Sequence, residues 1–181
     1  FRAVTDADAG FMGLAMGKDK KIDRWGKLSL EGMGKPSFIT VEGNCVIAEH
    51  RRKELTYRRC YKPSGNGGLA ISVTLKTGKK APVRFGMQAE LDASYDTFTW
   101  YGKGPHDTYW GREYSGTVAI YRNTVTEQDE HVRPQEHGNK QNVYWLTLTD
   151  ADGKGLRVDC LDHTIAASAW PYTLEQLQNA Q

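Results

Sequence analysis

Residues Leu69–Lys76 read Leu-Ala-Ile-Ser-Val-Thr-Leu-Lys, so that Leu69, Ile71, Val73 and Leu75 alternate with smaller or polar neighbours. Successive side chains of a strand point to opposite faces, and this strict period of two predicts a half-buried antiparallel strand. The run follows Lys62-Pro63-Ser64-Gly65-Asn66-Gly67-Gly68, a strong turn signal. Similar short runs recur along the chain. They are Phe38–Glu42 and Asn44–Glu49 on either side of Gly43, then Leu55–Tyr61, Val83–Leu91, Thr97–Tyr101, Thr117–Tyr121, Val143–Thr149 and Leu156–Leu161. Helical signal is thin. Thr173–Gln181 places Leu174, Leu177 and Gln178 at near-helical spacing behind Thr173 as a cap. Phe11–Gly34 holds five glycines and no clean period, and reads as a long loop. No internal repeat or low-complexity segment is visible. Many short strands joined by Gly-rich turns predict an all-β antiparallel sandwich.

The length, 181 residues, fits one domain. A chain of this size buries about 70% of the surface that its unfolded form exposes, enough for a core without staples. A net charge of +2 is too balanced to direct the chain to nucleic acid or a membrane surface. The basic runs Lys18-Asp19-Lys20-Lys21 and His50-Arg51-Arg52-Lys53 are interleaved with Asp19 and Glu54, as solvated faces are. Cys45, Cys60 and Cys160 have no metal-site spacing and leave one thiol unpaired even if two bond, which points to a cytoplasmic or otherwise reducing setting. The chain opens at Phe1 without an initiator Met and shows no signal peptide or membrane span. Asp150-Ala151-Asp152-Gly153 looks like the start of a calcium loop, but the twelfth position is Leu161 rather than Glu. A hairpin turn between two strands explains it better.

The stretch Trp100-Tyr101-Gly102-Lys103-Gly104-Pro105-His106-Asp107-Thr108-Tyr109-Trp110-Gly111-Arg112 resembles the Trp-x-Gly-x-Gly-Pro…Tyr…Arg signature of the last domain of family 2 β-galactosidases. Val132-Arg133-Pro134-Gln135-Glu136-His137-Gly138-Asn139-Lys140 resembles the family's Pro-Gln-Glu-x-Gly-Asn segment, and Trp145 follows as it does there. Upstream, Phe1-Arg2-Ala3-Val4-Thr5-Asp6-Ala7-Asp8-Ala9-Gly10 is similar to the family's opening, with Val4 and Ala7 as departures. Pro82-Val83-Arg84-Phe85-Gly86 resembles the strand that enters the signature. Gly111 stands where the family has an Asp, removing one partner of Arg112. The resemblance covers residues 1–177 in order and spacing.

It implies a supersandwich of the galactose-mutarotase-like type, forming residues 1–181 as the single C-terminal domain of a longer retaining β-galactosidase. Retention needs two carboxyl groups about 5 Å apart. In the family those glutamates lie on a separate (β/α)₈ barrel together with Mg²⁺ and Na⁺. A barrel alone takes about 200 residues or more, so it does not fit here, and no catalytic residue or metal ligand is assigned to this chain. The implied partners are a β-galactoside or galactose, the remaining domains of the same polypeptide, and further copies in a homo-oligomer.

Two readings stand for most of the signature. Gly102 and Gly104 would permit backbone angles closed to other residues, and Pro105 would fix the next. Trp100, Tyr101 and Tyr109 would fill the space between sheets, and Arg112 would be buried against a carboxylate or carbonyls. Pro134, Gln135, Glu136, Gly138 and Asn139 would brace a loop. The alternative for each is direct ligand contact. By resemblance, Trp170 stacks on the sugar and residues Gly86–Tyr95 form a mobile rim with Gly86 as hinge; the plain reading makes Trp170 a packing aromatic. Three other functions remain open: an independent aldose mutarotase, which needs a carboxylate facing a histidine across a cleft; a free-standing carbohydrate-binding module, which needs an exposed row of aromatics; and a purely structural part. His106, His131 and His137 sit beside Asp107, Glu130 and Glu136, yet neighbours along a strand point to opposite faces.

Overall fold

The computed structural model describes residues 35–52, 54–78, 85–128, 137–173 and 176. These carry ten strands: β1 (Phe38–Glu42), β2 (Cys45–Arg52), β3 (Leu55–Pro63), β4 (Leu69–Lys76), β5 (Thr97–Gly104), β6 (Thr117–Thr124), β7 (Lys140–Val143), β8 (Trp145–Thr149), β9 (Gly155–Asp159) and β10 (Ile165–Ala167). All the sheets are antiparallel, an all-β architecture as the alternation predicts. The described residues fall into two compact units, one ending at Gly86 and the other beginning at Met87.

The first unit is one sheet of order β1-β2-β3-β4. Gly43, at φ 60°, and Asn44 form the two-residue turn between β1 and β2. Only glycine adopts such an angle without steric cost, and it fixes the hairpin register. The β3–β4 turn closes through Ser64 N–H to Gly68 C=O at 2.9 Å, with Gly67 at φ 78°. Cys45 and Cys60 form a disulfide between β2 and β3, and Cys160 is a free thiol. The sequence had left that pairing open.

The second unit has a sheet of order β6-β5-β8-β9 and a two-stranded sheet β10-β7. Burial along β5 alternates over all eight residues. Its inward face sends Phe98 and Trp100 into a core with Val125, Val143, Leu146 and Ala169. The Phe98 and Trp100 rings stack at 5.0 Å. Burying a side chain the size of Phe98 contributes about 1.5–3 kcal/mol. At Gly102 a Cβ would lie 2.9 Å from the Val143 Cα, so β7 crosses directly over β5. That close crossing layers one sheet on the other.

Several strand limits move. Residues 85–91 carry no strand, which corrects the expectation for 83–91; Phe85, Met87 and Leu91 are all exposed there. The run 143–149 is broken at Tyr144, whose N–H is taken by Tyr101 C=O at 2.8 Å. The hairpin at residues 150–153 is present: the Asp150 carboxylate accepts the Asp152 and Lys154 N–H groups, each at 2.9 Å, and Gly153 has φ 80°. Thr173 and Gln176 form a reciprocal cap, Thr173 Oγ1 accepting the Gln176 N–H at 3.2 Å and Gln176 Oε1 the Thr173 N–H at 2.8 Å. The rest of the expected helix, and the loop at 11–34, lie outside the described residues.

Candidate functional site

The signature crossing begins where β5 ends, at a cis Gly104–Pro105 bond. Gly102 and Gly104 are not in the left-handed region, which corrects the expectation that they supply unusual angles. They supply room. A Cβ on Gly104 would stand 2.7 Å from the Tyr121 ring and 3.0 Å from the Trp100 indole. Trp100 is fully buried, and its indole N–H donates to Lys103 C=O at 3.0 Å. Tyr101 points the other way, stacking on Tyr144 at 4.9 Å and tilting against Trp145 at 6.4 Å.

The loop after Pro105 is held by a buried polar network centred on Thr108 and Asn139. Thr108 N–H donates to Asn139 C=O at 2.7 Å, and Asn139 Nδ2 returns a bond to Thr108 C=O at 2.7 Å. Thr108 Oγ1 accepts the Gln141 N–H at 2.9 Å. Lys140 is also buried; its ammonium donates to Pro105 C=O at 3.3 Å and lies 4.9 Å from the Trp100 ring centre. An ammonium over an indole face is attracted by the ring quadrupole, which offsets part of its desolvation. Gly138, at φ 68°, turns the chain into this network. Thr108 and Lys140 were not singled out in the sequence, although each adjoins a motif residue; a polar residue destined for burial has no pattern of its own.

Arg112 departs from expectation. Its side chain is 65% exposed rather than buried, and its guanidinium lies 3.9 Å from the carboxylate of Asp107, which is buried. Tyr109, half-buried, and Arg112 close a tight turn, with Arg112 N–H donating to Tyr109 C=O at 2.8 Å and Gly111 at φ 85°. The loop thereby presents Trp110 (83% exposed) and Tyr114 (94% exposed) to solvent.

On the other flank of Asn139, three rings meet. Trp170 and Tyr172 stack with centroids 6.3 Å apart, and His137 lies against both. Trp170 Nε1–H donates to His137 C=O at 2.9 Å, and the His137 Nε2 is hydrogen-bonded to the Tyr172 hydroxyl. Ser168 Oγ donates to Asn139 Oδ1 at 3.5 Å, tying the strand before Trp170 to the network. Trp170 is half-buried. The fold thus gathers Trp100, Gly102, Gly104, Pro105, Asn139 and Trp170 around one bracing network. Pro134, Gln135 and Glu136 lie outside the described residues, as does His131.

Residues 86–95 form an irregular connection. Ser94 donates its N–H to the Asp92 carboxylate at 2.9 Å, and that bond, with a second from the Ser94 hydroxyl, holds the Asp92 pKa below the usual range. Asp159 is held low by the Arg157 guanidinium, which also covers Trp145 at 4.7 Å. A general acid working at neutral pH requires a shift in the opposite direction.

The family model for the β-galactosidase small chain matches residues 1–181. The chain is 31% identical to a β-galactosidase of Priestia megaterium over 98% of its own length and 17% of that protein. It is 31% identical to one from Halalkalibacterium halodurans over 84% of this chain and 16% of the relative. With one from Lactobacillus delbrueckii subsp. bulgaricus it shares 26% identity over 99% of this chain and 18% of the relative. It therefore spans 16–18% of the length of these relatives. With the match running from first residue to last, the chain belongs to the β-galactosidase small-chain family.

Proposed function

We propose that this chain is the non-catalytic C-terminal part of a retaining β-galactosidase, where it closes one side of the galactose pocket and stabilises the subunit. The observation that carries the reading is the Trp170–Tyr172–His137 cluster: half-buried Trp170 is fixed in orientation through its indole N–H and backed by the Asn139–Thr108 network. An aromatic face held this way suits the apolar C–H face of galactose. The reacting carboxyl pair, Mg²⁺ and Na⁺ belong to the barrel expected elsewhere in the polypeptide. Among the described residues no three His, Cys, Asp or Glu converge as metal ligands, and no step assigned to this chain involves these ions. Homo-oligomer formation is part of the same proposal.

Replacing Trp170 by Ala in the full polypeptide tests the role. The Michaelis constant for a galactoside should rise about three- to tenfold while the chain still folds. An unaltered constant would take Trp170 out of the pocket.

A carbohydrate-binding module is favoured by one feature, the exposed Trp110 and Tyr114 on a braced loop. Following Trp fluorescence during titration with galactose and lactose separates the two readings. Saturable binding by this chain alone supports the module; binding only in the full polypeptide supports the pocket wall. A mutarotase has less behind it, since His106 is bonded to Ser115 at 2.8 Å while neighbouring Asp107 faces Arg112.

A further inference from the structure

Trp170 is held by a set of contacts that closes on itself. Its indole N–H donates to the His137 carbonyl at 2.9 Å. The imidazole Nε2 of His137 is hydrogen-bonded to the Tyr172 hydroxyl. The Tyr172 ring completes the circuit by stacking on Trp170, with centroids 6.3 Å and planes 20° apart. His137 is buried and lies against both aromatics, 6.2 Å from the Trp170 ring and 5.8 Å from the Tyr172 ring. Pro171 stands between the two aromatics, and its ring fixes φ, which limits how far they can turn apart.

Each contact does a different job. The His137 carbonyl belongs to the backbone and is followed by Gly138, in the left-handed region, and by Asn139 of the Thr108 network, so it offers the indole a fixed point. One hydrogen bond leaves a ring free to swing about its donor. The Tyr172 ring blocks that swing from one face, and the Tyr172 hydroxyl tethers the blocking ring to His137. Tyrosine suits the position because it joins an apolar body to a polar tip. Phenylalanine would keep the stack and lose the tether. Among the described residues Tyr172 takes no part in the core around Phe98 and Trp100, so the hydroxyl can be removed without opening that core.

We propose that Tyr172 is a positioning residue for galactoside binding. Its hydroxyl, held by His137, keeps the Trp170 indole in the orientation that the sugar meets, and Tyr172 itself does not touch the sugar. Affinity is gained by ordering the aromatic face before the ligand arrives. A side chain that must be immobilised on binding weakens affinity about two- to tenfold. Loss of the tether alone leaves the ring stack in place, so an effect in the lower part of that range is expected. The inference rests on the reading of Trp170 as part of the galactose pocket.

A double-mutant cycle on galactoside hydrolysis by the full polypeptide tests it. Tyr172→Phe is expected to raise the Michaelis constant about two- to fivefold with kcat unchanged, the signature of lost uniform binding. In a Trp170→Ala background the same substitution should add nothing, because a residue that acts through the indole has no effect once the indole is gone. The same rise in that background would mean that Tyr172 touches the sugar directly, and would overturn the proposal. An unaltered constant in Tyr172→Phe, with the rise in Trp170→Ala intact, overturns the proposal and leaves the pocket reading standing. An unaltered constant in Trp170→Ala removes both. Water exchange of the indole N–H groups, followed by NMR on the ¹⁵N-labelled chain, separates positioning from general loosening. Tyr172→Phe should cost the Trp170 indole its protection while the Trp100 indole, bonded to Lys103 C=O, keeps its own. Loss at both, or at neither, overturns the positioning role.

Discussion

The two four-stranded sheets are written in the same period of two, yet one realises it as a core and the other only in part. On β5 the inward residues Phe98 and Trp100 are buried to completion, and each outward neighbour is half-buried. On β1 every residue is exposed, and on β4 the apolar Leu69 and Ile71 stay open while Val73 and Leu75 are half-buried. Alternation therefore determines which face of a strand is apolar, but whatever covers that face is a separate matter. In the second unit the cover is the chain itself, because Gly102 lets β7 approach β5 and Val143 seals the core. Among the described residues the exposed strip of the first sheet lacks an equivalent.

The sharpest way to break this contrast is to truncate one apolar side chain in each sheet. Trp100→Ala removes a fully buried indole and is expected to cost about 3–5 kcal/mol of unfolding free energy. Val41→Ala in this chain should change stability by no more than about 0.5 kcal/mol. Urea unfolding followed by circular dichroism checks both. A large loss at Val41 would mean that its side chain is already packed, and the contrast would fail.

A smaller effect sharpens the account of how the second unit closes. Gly104→Ala places a methyl within 2.7 Å of the Tyr121 ring, where both it and Trp100 are confined. Overpacking of this kind costs about 1–3 kcal/mol. If the glycine were needed only for its backbone angle, Ala would be tolerated at this non-left-handed position. Unfolding of Gly104→Ala at the wild-type urea concentration would show that close packing against Tyr121 and Trp100 does not require glycine here.

The signature also shows what a sequence can and cannot disclose. The strands at Leu69–Lys76 and the Asp150 hairpin were legible because each carries its own local code, alternation in one and turn chemistry in the other. Strand β5 was legible only to Tyr101, because glycines lower strand propensity; that they lie within the strand reflects β7 crossing over it. Strands β7 and β10 went unseen. The first reads Lys-Gln-Asn-Val with Asn142 in the left-handed region at φ 52°, and the second has three residues joined through an irregular register. Residues 83–91 erred in the other direction, as Phe85, Met87 and Leu91 are spaced like a strand but lie in a connection without ladder partners among the described residues. Of the site, the resemblance placed Trp100, Asn139 and Trp170 without revealing what joins them. The joining groups, Thr108, Lys140 and His137, are polar residues buried by tertiary contacts that span about thirty positions.

The finest probe of the difference is acid, because the closed half of the first sheet contains a buried histidine beside a guanidinium, whereas the cluster around Phe98 and Trp100 on β5 is hydrophobic. His50 is buried, and Arg59 Nη2 can only donate, so Nε2 must accept and the proton resides on Nδ1. Burial foremost, and then the adjacent guanidinium, hold the His50 pKa below its ordinary 6.5. A histidine depressed in the folded state binds its proton more readily when unfolded, so its contribution to stability is full above about pH 6.5 and is lost as pH falls toward the folded value. Hydrogen exchange at β2 and β3 amides between pH 7 and pH 5, corrected for intrinsic exchange, should show protection falling there but not at β5. His50→Gln keeps a neutral acceptor for Arg59 and should flatten that dependence. Equal acid sensitivity in both sheets would mean that protonation acts on the chain as a whole, and His50 would then have no special part in it.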